Sequence, residues 1–583
     1  MPLVLEGHNK SMYFKKDARL YLIIAVFFLI GATLIGRLFY LQIIQYNVYA
    51  ALSEKLHQTD KALVPMRGEI YVNDGGTMYP VVVNKDYYLA FADPREILED
   101  QAFVNAISTI LKISPQEQQS LLKKIADKND PYEPIKKKVE VDAMIELKAL
   151  GIPGLYFTRE SYRMYSEKGL GGHIFGFVDS AGSGKYGIEG YMDKELYGIE
   201  GYARNIQDVF GSTAAAKDYE NKKTIDGENI VLTIDKSIQY KSCEQIRIGV
   251  EEFHATGGTV IVMDPSTGKV IAMCSYPDFD PENFNKTESL NYFNNPATFY
   301  AYEPGSIFKT ITFAIGLDLG KITPKSTYED TGEVKIIGLK PIKNSDLKAH
   351  GIQTMTETLE KSLNTGAVYV EEKIGDDNFR KYVEDFGFGR ATGIELDSES
   401  LGNISSLSKR GQIYSMTASF GQGITITSMQ FITAFSSLIN GGNLMKPYIV
   451  DTILRETEIV SETKLQIVRQ VISEAASSMI TNMMVSVVEN GYSNKAKIEG
   501  YYVGGKTGTA QVAGSEGKYG NETIHTFIGF APAYNPKFTI LIKMDNPKKF
   551  DFSSETATLV IKNLAEYILH YYNIPPEKEI EKK

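Results

Sequence analysis

Two known patterns overlap in GYYVGGKTGTAQ, residues 500–511. Gly505, Lys506 and Thr507 complete a phosphate-loop pattern, which is a glycine, four residues of any type, and Gly-Lys-Thr. The same letters contain Lys506-Thr507-Gly508, a triad that in other proteins belongs to a serine acyl-transfer site. The first interpretation predicts a nucleotide-binding turn, and the second predicts a strand beside a nucleophile.

The residues on either side of Lys506 favour the strand. A phosphate loop turns directly into a helix, so that backbone amides and the helix dipole face the phosphates. The letters TGTAQVAGSEG that follow Lys506 are not helical, and Tyr501, Tyr502 and Val503 before it are typical of a strand. We therefore interpret the phosphate-loop match as accidental.

The composition limits the function classes. A chain of 583 residues is expected to form two or more domains. Its formal net charge of −10 gives no support to nucleic-acid binding, which requires a basic face. The seven histidines show no zinc-binding spacing, so we predict no metal site and no cofactor. The two cysteines, Cys243 and Cys274, are interpreted as buried apolar thiols rather than a disulfide framework.

An uncharged segment near the start indicates a membrane anchor. The run from Leu20 to Gly36 carries no charge and continues in apolar residues, reaching the ~20 residues that span a bilayer. No cleavage site of small residues follows promptly. We predict a cytoplasmic segment at 1–19, a single transmembrane anchor at 20–44, and everything beyond it outside the cytoplasmic membrane, because basic residues precede the run.

Periodicity predicts a mixed module at 45–225, a second domain at 226–574 and a disordered tail at 575–583. In the module we expect a helix at 114–128. The elements predicted in the second domain are strands at 229–235, 501–512, 525–533 and 538–545, a hairpin at 258–275, and helices at 236–253, 304–320, 356–375 and 553–572. Helices between runs of sequential strands favour an α+β domain with a largely antiparallel sheet.

Three short motifs carry the chemistry. Ser306 and Lys309 are three positions apart on a predicted helix, so both lie on one face, where a lysine of lowered pKa can take the serine proton. That pair alone occurs often by chance. Ser362-Leu363-Asn364 follows 56 residues after Ser306, and Lys506-Thr507-Gly508 follows 144 residues later. The three motifs in this order, on these elements, are a specific signal.

At these residues the chain resembles the class B penicillin-binding proteins. The likeness extends over nearly the whole chain, and the further segments that carry it are Arg67-Gly68-Glu69-Ile70, Gly187-Ile188-Glu189, Val262–Gly268, Glu303–Lys309, Phe386–Gly389, Thr392–Ile394 and Gly421-Gln422-Gly423. It departs from the family pattern at Val72–Gly75 and at Ser166, which lie in the non-catalytic module. The resemblance implies a penicillin-binding/β-lactamase-like domain with a helical subdomain, preceded by an elongated pedestal or dimerisation-type module.

The resemblance implies a D,D-transpeptidase that cross-links peptidoglycan stem peptides, in division or elongation, and that β-lactams acylate. Ser306 would be the nucleophile and Lys309 its base. Ser362 would relay a proton to the leaving amine, and Lys506 would supply positive charge.

The remaining motif residues would bind substrate. The resemblance implies that Asn364 binds the donor amide, and that Thr507 and Thr509, with Gly508 between them, hold the substrate carboxylate. The oxyanion would lie between backbone N–H groups of Ser306 and Thr509. A polytopic SEDS-type glycan polymerase is the implied partner of the anchor and the module.

Three alternatives stay open at this point. A D,D-carboxypeptidase or β-lactamase would use water as the acceptor. The Glu-x-x-Leu-Asn pattern at 360–364 resembles a deacylating motif of class A β-lactamases, but it overlaps the second motif, which argues against that enzyme. A β-lactam sensor or scaffold and an ATPase are the other two.

Overall fold

A computed structural model gives the structure of the chain, and it describes residues 13–40, 45, 58–167, 169–206, 222–287, 289–513 and 519–578. The chain divides into two compact units. The smaller unit comprises Met1–Pro65 and Ile199–Ile225, and the larger comprises Met66–Gly198 and Asp226–Lys583.

The smaller unit contains the predicted anchor. A helix spans Tyr13–Phe39, and its segment Leu22–Phe39 has a mean hydropathy of 2.4 with its side chains exposed. By length and composition this helix can cross a membrane. The end of the predicted span, residues 41–44, lies outside the described residues. Strands Gln58–Leu63 and Gly201–Ile206 pair antiparallel in the same unit.

The larger unit begins with the elements of the predicted module, numbered here in chain order. They are β1 (Ile70–Asp74), β2 (Thr77–Ala92), α1 (Asp100–Leu111), α2 (Pro115–Ile125), β3 (Glu133–Val139), α3 (Val141–Ala149), β4 (Leu155–Tyr165), α4 (Gly172–Phe175), β5 (Phe177–Val178), β6 (Gly184–Lys185), α5 (Gly187–Tyr191) and α6 (Asp193–Tyr197). The predicted helix start at Ser114 is confirmed, since its side chain and that of Glu117 form a capping box.

The remaining elements belong to the predicted second domain. They are β7 (Asn229–Asp235), α7 (Lys236–Glu252), β8 (Gly257–Met263), β9 (Val270–Tyr276), α8 (Lys309–Asp318), β10 (Thr327–Asp330), β11 (Glu333–Val334), β12 (Ile342–Lys343), β13 (Gly351–Thr354), α9 (Met355–Glu360), α10 (Asn364–Ile374), α11 (Asp376–Asp385), α12 (Ile413–Ala418), α13 (Ser428–Ile439), β14 (Asn443–Met445), β15 (Val450–Arg455), β16 (Glu458–Glu462), β17 (Ile467–Gln470), α14 (Glu474–Asn490), β18 (Gly504–Ala513), β19 (Tyr519–Ala531), β20 (Phe538–Asp545) and α15 (Ala557–Tyr571).

A five-stranded sheet forms the centre of the second domain. Its order is β9–β8–β20–β19–β18, and all neighbouring strands are antiparallel, which confirms the predicted α+β fold class. Alternate residues of each strand face opposite ways. Val260 and Ile542 pack in the core that includes residues of α7 and α15, whereas Ile261 and Leu541 pack in the core that includes α8, α13 and α14. The sheet therefore lies between two layers of helices.

A second, larger sheet crosses the predicted domain boundary. Its order is β16–β15–β7–β1–β2–β3, with β4 also pairing with β2. Strands β1 and β7 run parallel and come from opposite sides of residue 225. The boundary at 225 stays a prediction. The tail is described only to residue 578, and Lys578 there pairs with Glu489 at 2.6 Å.

Three predicted elements differ from the structure in ways that matter for the site. The helix expected at 304–320 begins as a 3-10 turn, Gly305–Phe308, before α8 starts at Lys309. The helix expected at 356–375 is broken between α9 and α10. The strand expected from Tyr501 begins at Gly504. In the first two cases a contact with a distant segment, described below, overrides the local propensity.

The prediction for the two cysteines is wrong. Cys243 on α7 and Cys274 on β9 form a disulfide, with their Cα atoms 5.3 Å apart. Helix α7 lies against β9, so residues 31 positions apart in sequence become neighbours. The spacing of the two cysteines in the sequence does not predict that α7 packs against β9.

Candidate active site

The first motif lies where a tight turn meets the start of a helix. Ser306 is half-buried in the 3-10 turn, and Lys309, fully buried, is the first residue of α8. In a 3-10 turn, residues three apart lie on the same side, so both side chains face one way. Gly305 has a φ of +60°, and its N–H donates to the Gly421 carbonyl at 3.1 Å. A 3-10 turn replaces the start of the predicted α-helix because the Gly305 N–H is hydrogen-bonded to Gly421.

The second motif occupies the break between α9 and α10. Ser362 has a φ of +55°, a left-handed conformation that is uncommon for a residue other than glycine. The Lys309 Nζ donates to the Ser362 carbonyl at 2.6 Å and to the Ser362 Oγ at 3.3 Å. It also donates to the Asn364 Oδ1 at 2.8 Å. A continuous helix could not offer all three acceptors, so the break is what brings this motif onto the first.

The third motif completes the site from the edge strand β18. The Lys506 Nζ donates to the Ser362 Oγ at 2.9 Å and to the Thr507 carbonyl at 3.0 Å. The Ser362 hydroxyl therefore accepts from two lysines and keeps its own proton for another partner. Strand β18 continues to Ala513 without turning into a helix, so the geometry of a phosphate loop is not met.

The two lysines are electrostatically unusual. Both are buried, and within the described part of the chain neither forms an ion pair with a carboxylate. Burial, followed by the positive charge of Lys506, holds the pKa of Lys309 well below its ordinary value. Burial also lowers the pKa of Lys506 to about 7. A lysine of lowered pKa can be a neutral amine near neutral pH, which is the form that accepts a proton.

Glycine at position 508 allows β18 to approach the nucleophile. A Cβ atom there would lie 2.4 Å from the Thr526 Oγ1, 3.0 Å from the Ile307 Cγ2 and 3.1 Å from the Pro304 carbonyl oxygen. The first distance would force the Thr526 side chain or the strand to shift, and the other two are tighter than most Cβ contacts, so glycine lets β18 lie close to the 3-10 turn. The third motif needs glycine in order to pack against the first.

The predicted substrate-binding side chains have defined partners. Asn364 uses both ends of its amide, because its Oδ1 accepts from Lys309 and its Nδ2 donates to the Lys343 carbonyl at 2.8 Å. Thr507 is buried, and Thr509, half-buried, accepts from the Ser553 N–H through its Oγ1 at 3.2 Å. The structure thus brings all the predicted residues to one place, while their roles toward substrate stay predictions.

Sequence reasoning missed several residues that support the motifs. Ser553 holds Thr509, Lys343 holds Asn364, and Asn344 contacts the start of α10. None of them belongs to a recognisable pattern. The loop Gly421-Gln422-Gly423 did stand out in the sequence, and it is the segment that receives the Gly305 N–H.

Comparison with known proteins agrees with this geometry. A family model described as "Penicillin binding protein transpeptidase domain" matches residues 258–566, more than half of the chain. A second, described as "Penicillin-binding Protein dimerisation domain", matches residues 62–232.

Curated relatives cover almost the entire chain. Stage V sporulation protein D of Bacillus subtilis is 32% identical over 557 residues, covering 94% of this chain and 85% of the relative. Peptidoglycan D,D-transpeptidase FtsI of Buchnera aphidicola subsp. Baizongia pistaciae is 26% identical over 588 residues, with 98% of each chain covered.

A solved structure shows the same fold. Penicillin Binding Protein 2X from Streptococcus thermophilus superposes with a TM-score of 0.75 at 22% identity, covering 88% of this chain and 80% of that one. The matched family models, the relatives and the three converging motifs agree, and the chain belongs to the class B penicillin-binding proteins.

Proposed function

We propose that this chain is a peptidoglycan D,D-transpeptidase that works through an acyl-enzyme on Ser306. The observation that carries the proposal is the position of the Ser362 hydroxyl between the Nζ atoms of Lys309 and Lys506, at 3.3 and 2.9 Å. The Buchnera relative bears the name of a peptidoglycan D,D-transpeptidase, which supports the same substrate class.

In the acylation step the Ser306 Oγ attacks the carbonyl carbon of the D-Ala-D-Ala bond, and its proton passes to the neutral Lys309 amine. The lowered pKa of Lys309, caused first by burial and then by Lys506, keeps that amine available. Backbone N–H groups of Ser306 and Thr509 stabilise the oxyanion, and one such donor contributes roughly 3 kcal/mol. The proton then reaches the leaving nitrogen through Ser362, the peptide bond breaks, and D-Ala departs.

In the second step an amine of another stem peptide attacks the Ser306 ester. The amine loses a proton to the same relay, a new amide bond forms, and the proton returns to the Ser306 oxygen as the ester breaks. The chemistry balances without an added cofactor, since one amide is exchanged for another.

Substrate recognition is assigned to the strand side of the site. Lys506, with the hydroxyls of Thr507 and Thr509, would hold the terminal carboxylate, and the Asn364 amide would bind the donor peptide. A bound carboxylate raises the pKa of a lysine, so substrate would favour the charged form of Lys506 over the neutral form that burial favours.

The test uses the full chain in detergent with fluorescent penicillin. Ser306→Ala should abolish covalent labelling, and Lys506→Ala should slow labelling by orders of magnitude, because it removes charge from a desolvated site. The natural chain and both variants should fail to bind labelled ATP, because no nucleotide site is expected. Saturable ATP binding with no acylation of Ser306 would overturn the proposal.

The acceptor is tested separately. A stem-peptide donor is incubated with the chain and an acceptor peptide that carries a free amine. Cross-linked product identifies a transpeptidase. Release of D-Ala with hydrolysis alone, even at high acceptor concentration, would identify a carboxypeptidase instead.

Placement and partner form the last part of the proposal. We assign 1–19 to the cytoplasm, 20–44 to the bilayer, 45–225 to the docking module and 226–574 to the catalytic domain, outside the membrane, with a SEDS-type glycan polymerase as partner. Support comes from the long exposed apolar helix Tyr13–Phe39. The full chain should resist carbonate extraction, and protease added to intact spheroplasts should digest the catalytic domain.

The partner assignment has its own test. The anchor and module alone should co-purify with the polymerase. Retention of the polymerase by the catalytic domain only would contradict the docking assignment.

A further inference from the structure

The helix that starts within the second motif needs acceptors for its first N–H groups. Helix α10 begins at Asn364, and the residue before it, Leu363, makes no side-chain hydrogen bond to the first turn. The first N–H groups of a helix have no partner within the helix and need an acceptor. Ser362 precedes the helix and has a hydroxyl, but its Oγ accepts from Lys309 and Lys506.

A residue from outside the motif fills this gap. The Asn344 Oδ1 accepts from the N–H of Asn364 at 3.0 Å and from the N–H of Thr365 at 3.2 Å. The neighbouring Lys343 carbonyl accepts from the Asn364 Nδ2 at 2.8 Å. Strand β12 and the residue after it thus fix both the backbone and the amide of Asn364, and the amide oxygen is left facing the Lys309 Nζ at 2.8 Å.

Asn344 is in turn held by a buried carboxylate. Its Nδ2 lies 3.1 and 2.9 Å from the two oxygens of Asp330, at the end of β10. Asp330 also accepts from the Thr365 hydroxyl at 2.8 Å and from the N–H groups of Gly332 and His350 at 3.0 and 2.9 Å. Every contact to this carboxylate is a donor, so a group that accepts at both oxygens is required there.

The three side chains at the centre of this network are buried. Asp330, Asn344 and Thr365 are 1%, 2% and 4% exposed. Burial by itself raises the pKa of Asp330, but the donors, led by Thr365 and Gly332, outweigh it and hold the pKa below its ordinary value. Asp330 is therefore ionised at neutral pH, which suits an acceptor of so many hydrogen bonds.

We propose that Asp330 and Asn344 are positioning residues of the acyl-transfer site, which hold the start of α10 so that the Asn364 amide oxygen faces the Lys309 Nζ. The inference rests on the proposed function, because it assigns these residues to the acylation step. A shift of about 1 Å in a group that aligns reactants can cost on the order of 100-fold in rate. Loss of the network should thus lower the acylation rate without preventing binding of β-lactam.

The experiment measures acylation of the full chain in detergent by fluorescent penicillin over a range of concentrations. This separates the limiting acylation rate from the concentration of half-saturation. Asp330→Asn places an N–H where only donors converge, and Asn344→Ala removes the acceptor for the α10 amides. Each should lower the limiting rate about 100-fold, with half-saturation changed less than about threefold.

A matched control separates position from general stability. Asp235 is also a buried aspartate, 4% exposed, and it accepts from the Ile238 N–H and the Tyr571 hydroxyl. Asp235→Asn makes the same chemical change at the start of α7. The limiting rate of Asp235→Asn should stay within about threefold of that of the natural chain. The measurement is made at a temperature at which Asp235→Asn and Asp330→Asn are both folded.

Exchange of the two groups supplies a rescue. In the double variant Asp330→Asn/Asn344→Asp the carboxylate moves to position 344, where it can accept from the α10 amides and from the new amide at 330. We expect it to regain at least about tenfold in limiting rate over Asp330→Asn, since the donor–acceptor pair is restored in reverse.

The outcomes are distinct. If Asp330→Asn fails to fold, Asn344→Ala decides alone, because Asp330 then keeps its donors from Thr365, Gly332 and His350. Limiting rates of both single variants within about threefold of Asp235→Asn would overturn the positioning role. If the natural chain is not acylated at Ser306, the proposed function itself fails and the inference falls with it.

Discussion

Two clusters of buried charge in this molecule are built in opposite ways. In the module, Glu189 is fully buried between Arg67 and Arg163, whose nitrogens lie 2.6 and 2.7 Å from its carboxylate oxygens. In the site, Lys309 and Lys506 are buried beside each other, and no carboxylate of the described chain forms an ion pair with either.

The electrostatic consequences differ accordingly. Burial disfavours the charged form of Arg67, but Glu189 and Asp193 outweigh it and raise the pKa of Arg67. For Lys309 burial is not offset, and the neighbouring Lys506 adds to it, so the pKa falls. A buried charge with partners holds segments together, whereas a buried group whose pKa is displaced is available for proton transfer. Three experiments test this difference between the two clusters, and one further experiment tests the disulfide.

The largest expected effect is on catalysis. Lys309→Met replaces the amine with an apolar side chain of similar length, which removes the base but not the packing. We expect the acylation rate to fall by about a thousandfold or more, because a positioned acid or base contributes typically 10²–10⁴-fold. The free energy of unfolding should fall by no more than about 3 kcal/mol, because removing a buried amine that has no counter-charge offsets part of the cost of leaving the Ser362 carbonyl and the Asn364 amide oxygen without this donor.

Fluorescent penicillin labelling and denaturant unfolding of the same preparation measure both quantities. Lys381→Met, at a surface lysine paired with Asp385, is the control and should change neither appreciably. If Lys309→Met keeps its labelling rate but loses stability, Lys309 stabilises the fold and is not the base.

The second experiment removes the shared partner in the module. Within the described chain, Glu189→Gln leaves Arg163 buried without a counter-charge and leaves Arg67 with Asp193 alone, and we expect a loss of about 3–5 kcal/mol in the free energy of unfolding. Below the unfolding temperature the labelling rate per folded molecule should be unchanged. The control Glu140→Gln affects an exposed pair with Lys85 and should cost less than about 1 kcal/mol. Loss of labelling without loss of stability would show that the Arg67 cluster acts on the site.

The third experiment concerns the covalent link between α7 and β9. Replacing Cys243 and Cys274 together with serine should lower the free energy of unfolding by about 2–4 kcal/mol, the usual contribution of a disulfide that closes a loop of this length. The same loss is expected when the natural chain is reduced. Equal stability of the oxidised and reduced natural chain, measured by denaturant unfolding, would contradict this assignment.

The smallest effect is a change in pH dependence. Acylation requires the neutral form of Lys309, so its rate rises as pH passes upward through the pKa of that group. Lys506→Ala removes the positive charge that helps to lower this pKa, so the pKa rises and the ascending limb moves to higher pH.

The pH profile of the limiting acylation rate measures this shift. Lys506→Arg keeps the charge, so its ascending limb should stay near that of the natural chain. An ascending limb that moves to lower pH in Lys506→Ala would show that the two lysines do not interact as proposed.

Much of the fold was accessible to sequence reasoning because its signals are local. Strand-forming residues at 229–235 and 538–545 predicted two strands, and the structure has them with the same bounds. Ser114 with Pro115 predicted one helix start, and the helical period of 236–253 predicted a second helix, for the same reason. These patterns depend on neighbours within a few residues, so the chain reveals them without its tertiary structure.

The letters alone were enough to identify the candidate chemical groups: a serine and a lysine three apart, a second serine with an asparagine, and a lysine before threonine and glycine, in that order. Their arrangement in one site depends on the tertiary structure. The broken helix at Ser362, the disulfide of Cys243 and the Asn344 contact with α10 each join residues far apart in the chain, where propensity carries no information. The lowered pKa of Lys309 likewise arises from burial, which is a property of the folded interior and not of the letters.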